Sequence, residues 1–155
     1  MPSISDLFVS LEYGPAPESP TSAEAWLEAR DRRFGHFIGG EFVGADAEVT
    51  FAVHRPATAE VIANVAQGDE AVVDAAVKAA RKALPKWEKL GPAGRAEHLY
   101  ALARGIQRRA RLFATLESID NGKPIRESRD LDVPLVARHF YHHAGWAQLR
   151  DTTHP

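Results

Sequence analysis

The spacing of apolar side chains changes once along the chain and then changes back, and this pattern restricts the possible folds most. Apolar residues recur at helical intervals before residue 34 and after residue 68, whereas short runs typical of strands lie between. Those runs fit two small hairpins: residues 36–38, 41–43, 49–54 and 61–66. Strands this short and few cannot build a closed sheet. The sequence therefore predicts an α+β fold that is mostly helical, with two small β hairpins.

Two helices are predicted in an N-terminal region of residues 1–35. The first spans residues 3–13, and prolines 15, 17 and 20 then hold a stiff connector extended. Thr21 and Glu24 match the T-x-x-E capping box, which predicts a second helix. A basic last turn and Gly35 are expected to end it. The apolar spacing of the first helix comes from Ile4, Leu7, Phe8 and Leu11.

Longer amphipathic helices are predicted after residue 68. The first begins at Asp69 and is expected to end at Pro85, because proline removes a helical hydrogen bond. Residues 92–119 predict a helical hairpin or a bent helix, and a last helix covers about residues 130–149. The apolar stripes of these helices can cover one another only in part, so we expect exposed apolar surface and association. The stripe of the first helix is Val73, Ala76, Val77, Ala80 and Leu84, opposite Asp74, Lys78, Arg81 and Lys82.

Composition excludes several classes of function. The 155 residues include 19 basic and 21 acidic side chains, giving a net charge of −2 that disfavours a nucleic-acid partner. No cysteine is present, which rules out disulfides, thiolate metal sites and a cysteine nucleophile within this sequence. The N-terminal residues lack a basic segment and a long apolar stretch, so neither export nor a membrane span is expected.

Two clusters of chemistry-bearing residues have a functional and a structural interpretation. His139 and His143 have the i, i+4 spacing of zinc ligands, but Phe140 replaces the glutamate of a hydrolytic H-E-x-x-H motif. With His142 they form either a metal or proton-relay cluster or, as we favour, packing residues on an amphipathic helix. The second cluster is either an anion contact or a solvated helix end, and it comprises Arg104, Arg108, Arg109 and Arg111.

The turn Asp120-Asn121-Gly122-Lys123-Pro124 is the most tightly specified local feature, because it combines a helix end, left-handed geometry and a proline. It is either a functional loop or a simple helix stop. No glycine-rich phosphate-binding motif and no nucleophile elbow occurs in the sequence. Spacing alone therefore assigns no catalytic and no cofactor-binding residue.

Residues 37–147 resemble the N-terminal part of an NAD(P)-dependent aldehyde dehydrogenase through several motifs in order. These are FIGGEFV at 37–43, PATAEVIA at 56–63, GDE at 68–70, DAAVKAAR at 74–81, LESIDNGKP at 116–124 and AGWA at 144–147. Arg55 departs from the asparagine common in the family, and Ala59 departs from a glycine. Residues 11–19, 34–37 and 133–143 are most similar to a two-domain subfamily with an appended, degenerate dehydrogenase-like domain.

This resemblance implies an enzyme that oxidises aldehydes to acids through a cysteine thiohemiacetal, with hydride transfer to NAD or NADP. In the family, the Rossmann-like core, the catalytic cysteine and the general base lie beyond the position of Pro155. Residues 36–150 are then an N-terminal segment of the aldehyde dehydrogenase α/β fold, followed by a loose tail at 151–155. The expected parent is a cytoplasmic oxidoreductase, and this chain alone is expected to be inactive, with no cofactor of its own.

The resemblance also implies two sites by position. Asp120, near the strand that carries His54, matches a ligand of a monovalent cation in some family members. Leu131 and Leu135 lie where the family lines its substrate tunnel, although plain helix packing explains them equally well. Expected partners are a second copy or the remainder of the dehydrogenase. The alternative to an enzyme fragment is a non-enzymatic interaction module that pairs with itself or with a longer subunit.

Overall fold

The computed structural model describes residues 18–153, with side chains described as far as residue 150. The predicted helix over residues 3–13 lies outside this part. Helix α1 spans Thr21–Glu28 and precedes five strands and a helical region. The strands are β1 (Arg33–Phe34), β2 (His36–Ile38), β3 (Glu41–Val43), β4 (Thr50–His54) and β5 (Val61–Ala66). The helices that follow are α2 (Glu70–Lys89), α3 (Gly91–Arg108), α4 (Ala110–Asn121), α5 (Ile125–Glu127), a π-helical turn (Ser128–Asp132) and α6 (Val133–Thr153).

Both predicted hairpins are confirmed. Strands β2 and β3 pair antiparallel, with His36 opposite Val43, around the Gly39-Gly40 turn. Strands β4 and β5 also pair antiparallel, and a register shift interrupts their ladder between Val53 and His54. The sequence did not indicate β1, which pairs parallel to β5 and gives the sheet order β1-β5-β4. The fold is thus mostly helical with two small sheets, as predicted.

The start and end of α1 differ from the prediction. Thr21 is the first helical residue instead of the N-cap, and its Oγ1 lies 2.8 Å from the Ser19 Oγ. Glu24 makes ion pairs with two arginines, so it is not available to complete a capping box. The helix ends at Glu28 because the following turn places Asp31 and Arg32 at positive φ, well before Gly35. The capping-box prediction was therefore wrong, although the helix itself is present.

Helix α2 also runs past its predicted end. Asp69 caps it as expected, and the Asp69 Oδ1 accepts a hydrogen bond from the Val72 backbone N–H at 2.8 Å. Pro85, however, lies inside the helix, which continues to Lys89. All residues from 80 to 90 are exposed, so water can solvate the carbonyl group that the proline leaves without an amide donor. The expected stop at Pro85 was wrong for this reason.

The core lies mainly between α3 and α6, which pack closely because small side chains meet at their interface. Ala96, Ala103, Ala137 and Ala144 are all at least 98% buried. At the edge of this contact the Tyr141 hydroxyl donates to the Gln107 Oε1 at 2.9 Å. A break at Arg109 separates α3 from α4, which makes residues 91–121 a bent helix pair as predicted. None of the helices within residues 18–153 has the length and apolar character that a membrane span requires.

Candidate functional site

An open apolar groove of about 690 Å³ lies between the sheet and the helices. Its floor is the sheet, where Ile62 and Ala63 are buried. One wall comes from α1 and β1, where the rings of Trp26 and Phe34 stack 5.4 Å apart. The opposite wall comes from helices α3, α4 and α6. It consists of Leu102, Ile106, Phe113, Leu116, Glu117, Ile119, Asp120, Val133 and Val136.

Several apolar side chains of this wall are open to solvent. Leu102 is 47% exposed, and Phe113 and Val136 are each 44% exposed. The only ionisable side chains among the lining residues are Glu117 and Asp120 on α4. An apolar concavity with this little polar lining can hold an apolar surface, but it offers few groups to orient a polar substrate.

An ion cluster joins α1 to the sheet beside this groove. Glu24 on α1 accepts from the Arg32 guanidinium at 2.8 Å and from the Arg55 guanidinium at 2.5 Å. Arg32 also donates to the Ile62 backbone oxygen at 3.1 Å, which ties the turn after α1 to β5. The side chains of all three charged residues are less than one third exposed. The cluster therefore fixes the position of α1, and with it the Trp26 wall of the groove.

The arginines shift the titration of this carboxylate. The hydrogen bond from Arg32 is the largest influence and, together with Arg55, lowers the pKa of Glu24 below its ordinary value of 4.5, while burial acts in the opposite direction. Pairing with Glu24 and Glu28 raises the pKa of Arg32. Glu24 thus remains charged at neutral pH and acts as a structural anion.

The turn after α4 is fixed by polar contacts, as its sequence suggested. Gly122 ends the helix at φ +77°, and the Lys123 backbone N–H donates to the Asn121 Oδ1 at 2.9 Å. The Ser118 hydroxyl donates to the Lys123 carbonyl, and the Lys123 ammonium forms an ion pair with Asp132 in the π-helical turn. This ion pair raises the pKa of Lys123. The turn therefore holds the end of α4 against the start of α6.

The residues of the expected cation site lie on neighbouring elements. A Cβ atom added at Gly122 would lie 3.1 Å from the Pro56 Cβ, so the turn after α4 contacts the segment that follows His54. Asp120 lines the groove together with Val53. The His54 Nδ1, however, is 3.1 Å from the Ala59 backbone oxygen of its own turn. Among the described side chains no group of three or more His, Asp or Glu residues is arranged to hold a metal ion. The cation site stays a prediction, and no chemistry is derived from it.

The expected tunnel residues lie outside the groove. Leu131 is 53% exposed in the π-helical turn, and Leu135 is 38% exposed on α6. In this part of the chain, Val133 and Val136 line the groove instead. The assignment of Leu131 and Leu135 to a substrate tunnel therefore also remains a prediction.

The histidine and arginine clusters take part in local surface contacts. His142 lies 2.9 Å from the Trp146 indole N–H, which donates to its Nε2, and its ring contacts His143 edge to face. Arg104, Arg108, Arg109 and Arg111 are all exposed around the break between α3 and α4. Arg111 approaches Glu18 at 3.8 Å.

The Gly39-Gly40 pair differs in its setting from the glycine turn of a dinucleotide-binding fold. Gly39 and Gly40 have φ values of +66° and +96° and form the turn of an antiparallel hairpin. A dinucleotide fold instead places glycines between a parallel strand and the N-terminus of a crossover helix. The one parallel pair, β1 with β5, is two residues long.

Comparison with known proteins identifies the family. Residues 42–154 match the model of the aldehyde dehydrogenase family. The chain belongs to this family. DhaS of Bacillus subtilis (strain 168), which is named as an aldehyde dehydrogenase, is 40% identical over 112 residues. That alignment covers 71% of this chain but only 23% of DhaS.

Solved aldehyde dehydrogenases share the fold over a similar portion. A variant of the Bacillus cereus enzyme superposes with a TM-score of 0.76 at 37% identity, covering 86% of this chain and 27% of that one. PnpE, known from Pseudomonas sp. WBC-3, was solved with nicotinamide adenine dinucleotide. It superposes with a TM-score of 0.72 at 40% identity, covering 75% of this chain and 24% of its own. The chain thus spans about a quarter of the length of these relatives and has part of the aldehyde dehydrogenase fold.

Sequence reasoning missed the ion cluster at Glu24. The i, i+4 spacing of Glu28 and Arg32 indicates one of its contacts. Arg55, 31 residues from Glu24 in sequence, gives no such signal. Its departure from the asparagine of the family pattern is the only sequence feature that marks it.

Proposed function

We propose that this chain supplies the N-terminal, non-catalytic part of a cytoplasmic NAD(P)-dependent aldehyde dehydrogenase, and that it does not oxidise aldehydes alone. Family membership supports the general activity, and the relative solved with nicotinamide adenine dinucleotide supports the cofactor class. The proposal that the chain is one part of a larger enzyme rests mainly on the groove. A large apolar surface, open along one side, is suited to receive another part of the same enzyme.

The composition supports inactivity of the chain alone. Oxidation through a thiohemiacetal needs a thiolate, and the 155 residues include no cysteine. The groove has two carboxylates at its edge but no base paired with a nucleophile. The chemistry is therefore assigned to the remainder of the dehydrogenase, and the partner of the groove is that remainder or a second copy.

An activity assay tests this proposal. The purified chain is mixed with a panel of aliphatic and aromatic aldehydes and with NAD⁺ or NADP⁺, and absorbance at 340 nm is followed. The expected rate equals that without protein, while an intact aldehyde dehydrogenase serves as the positive control. Calorimetric titration with NAD⁺ at millimolar concentration is expected to show no saturable heat.

Turnover above the rate without protein would overturn the proposal, as would saturable NAD⁺ binding that is lost in a Lys123→Ala variant. Reading the coding sequence beyond Pro155 gives an independent test. An in-frame continuation with strand and helix repeats and a cysteine is expected. An unrelated continuation would instead favour an interaction module without enzymatic activity.

A further inference from the structure

Helix α2 has an apolar face that is open to solvent over most of its length, while at its end the Trp87 ring lies 5.7 Å from the His98 ring of α3. None of its side chains is buried. Val73 is 60% exposed, Val77 45% and Leu84 51%. The helix instead contacts the β2–β3 hairpin from another side, where the Ala79 Cβ lies 3.9 Å from the position of a Cβ added at Gly39. This face is separate from the groove, whose lining includes no residue of α2.

The spacing along this face is that of a coiled-coil seam. Val73, Val77, Ala80, Leu84 and Trp87 follow one another at alternating intervals of four and three residues. This spacing is the heptad a/d pattern, which keeps a stripe facing a partner helix along its length. Pro85 lies off the stripe and does not interrupt it. These five residues form the α2 seam.

Beside the α2 seam, the predominant charge changes from negative to positive along the helix. Asp74 and Arg81 are seven residues apart and therefore lie on the same side of the seam, two turns from each other. Glu70 and Asp74 lie in the first half of the helix, whereas its second half carries one acidic residue, Glu88, and four basic residues: Arg81, Lys82, Lys86 and Lys89. Arg81 has no ion-pair partner within the described residues, and Asp74 contacts only the exposed Lys78, at 3.2 Å.

We propose that α2 pairs antiparallel with the α2 helix of a second copy of this chain. A two-fold axis between residues 78 and 79 places Val77 opposite Ala80 and Val73 opposite Leu84 of the second copy. The same axis brings each Asp74 beside the Arg81 of the other copy, so two equivalent ion pairs flank the seam. A parallel pairing would instead place the two Asp74 side chains on opposite flanks of the seam, and the two Arg81 side chains likewise, so neither ion pair could form. The charge pattern therefore selects the antiparallel arrangement.

The pairing is expected to be reversible. A 20-residue helix is about 30 Å long, and one helix pair of this length buries less than the roughly 1,200 Å² of a standard stable interface. Alanines at 76, 80 and 83 let the helices approach closely. Association is therefore expected in the micromolar range, and it depends neither on catalysis nor on the groove.

Charge exchange tests the pairing. Sedimentation velocity over a concentration series gives the dimer dissociation constant of the whole chain and of three variants: Asp74→Arg, Arg81→Asp and the double variant carrying both. Each single change places like charges together and is expected to weaken the dimer about tenfold. The double variant restores opposite charges and is expected to return to within about threefold of the original constant. Lys82→Asp, off the seam and not paired with Asp74, is the matched control, and circular dichroism verifies the helical content of all variants.

A cysteine cross-link tests the direction. Because the chain has no cysteine, Val77→Cys and Ala80→Cys variants carry one thiol each. Antiparallel pairing predicts an oxidised heterodimer when the two are mixed, in excess over either homodimer, whereas parallel pairing predicts the Val77→Cys homodimer. A monomer at all concentrations, equal dimer constants in the single and double charge variants, or a dimer that Phe113→Ser in the groove abolishes would each overturn the proposal.

Discussion

At the residue scale, two positions are expected to affect stability for different physical reasons. Gly122 combines a left-handed backbone with close packing against Pro56, and Glu24 holds two arginines in a partly buried cluster. Gly122 is required by the backbone geometry of its turn, and Glu24 is required by its charge. Their contact partners, Arg55 and Pro56, are adjacent in sequence, so a double variant is measured beside the two single variants to show how far the effects add.

Gly122→Ala is expected to lower the free energy of unfolding by about 1–3 kcal/mol, because the added Cβ meets both positive φ and the Pro56 ring. Urea unfolding followed by circular dichroism measures the change. Gly105→Ala is the matched control, since Gly105 lies inside α3 with nothing within 4 Å of its Cβ position. That control is expected to gain about 0.5–1 kcal/mol from better helix propensity. A Gly122→Ala variant as stable as the original chain would contradict the geometry of the turn.

Glu24→Gln is expected to cost about 1 kcal/mol at pH 7, because two arginines lose their shared carboxylate. Since the pKa of Glu24 is lowered in the folded chain, the cluster stabilises the fold above about pH 4.5. That stabilisation is lost as the pH falls further and the carboxylate becomes protonated. Urea unfolding at several pH values should therefore show the difference between the two proteins shrinking towards pH 3. Glu28→Gln removes a more exposed partner of Arg32 and should change less.

At the element scale, helices and hairpins were largely predictable because their signals are local. The hairpins follow from short apolar runs around Gly39-Gly40 and Pro56, and the end of α4 follows from Gly122. The parallel β1 strand and the ion cluster were not predictable, since each joins residues about 30 positions apart. Local rules also failed at Pro85, where exposure of the helix, and not propensity, determines the outcome.

Pro85→Ala tests that explanation. Alanine restores an amide donor inside α2 and removes the ring clash, so the free energy of unfolding is expected to rise by about 1–3 kcal/mol. Urea unfolding and ellipticity at 222 nm measure the gain. Lys86→Ala, next to it on the exposed helix, should stay within about 0.5 kcal/mol of the original chain. An unchanged or lower stability of Pro85→Ala would show that the proline is fully accommodated.

At the scale of the whole molecule, the candidate site is a mainly apolar surface that several elements build together. The sequence predicted exposed apolar surface on the helices, but it did not identify the residues that line the groove. Their arrangement around one concavity depends on how α1, the sheet and α4 pack together, which no local pattern specifies. The resemblance to aldehyde dehydrogenases indicated a function, whereas the spacing of single residues did not.

The open groove predicts binding of a hydrophobic dye. The native chain is expected to increase the fluorescence of 8-anilinonaphthalene-1-sulfonate, because Leu102 and Phe113 are half exposed on the groove wall. Phe113→Ser should reduce the increase about twofold or more, by removing apolar surface from the groove. Phe42→Ser is the control, since Phe42 is 81% exposed on the β2–β3 hairpin away from the groove. No enhancement with the folded chain would show that the groove is closed in solution.

The contact between Glu24 and Arg55 has a consequence for sequence divergence. Glu24 precedes the segment that matches the family model, whereas Arg55 lies within it at a position where the family commonly has asparagine. A guanidinium held at this depth requires an anion, so the two positions are constrained as a pair. Among relatives with an N-terminal helix like α1, arginine at position 55 should therefore accompany an acidic residue at position 24. Relatives with asparagine at position 55 should keep an acidic residue at position 24 less often, because only the pairing with Arg32 then requires it, so the history of substitutions would record the same contact that the structure shows.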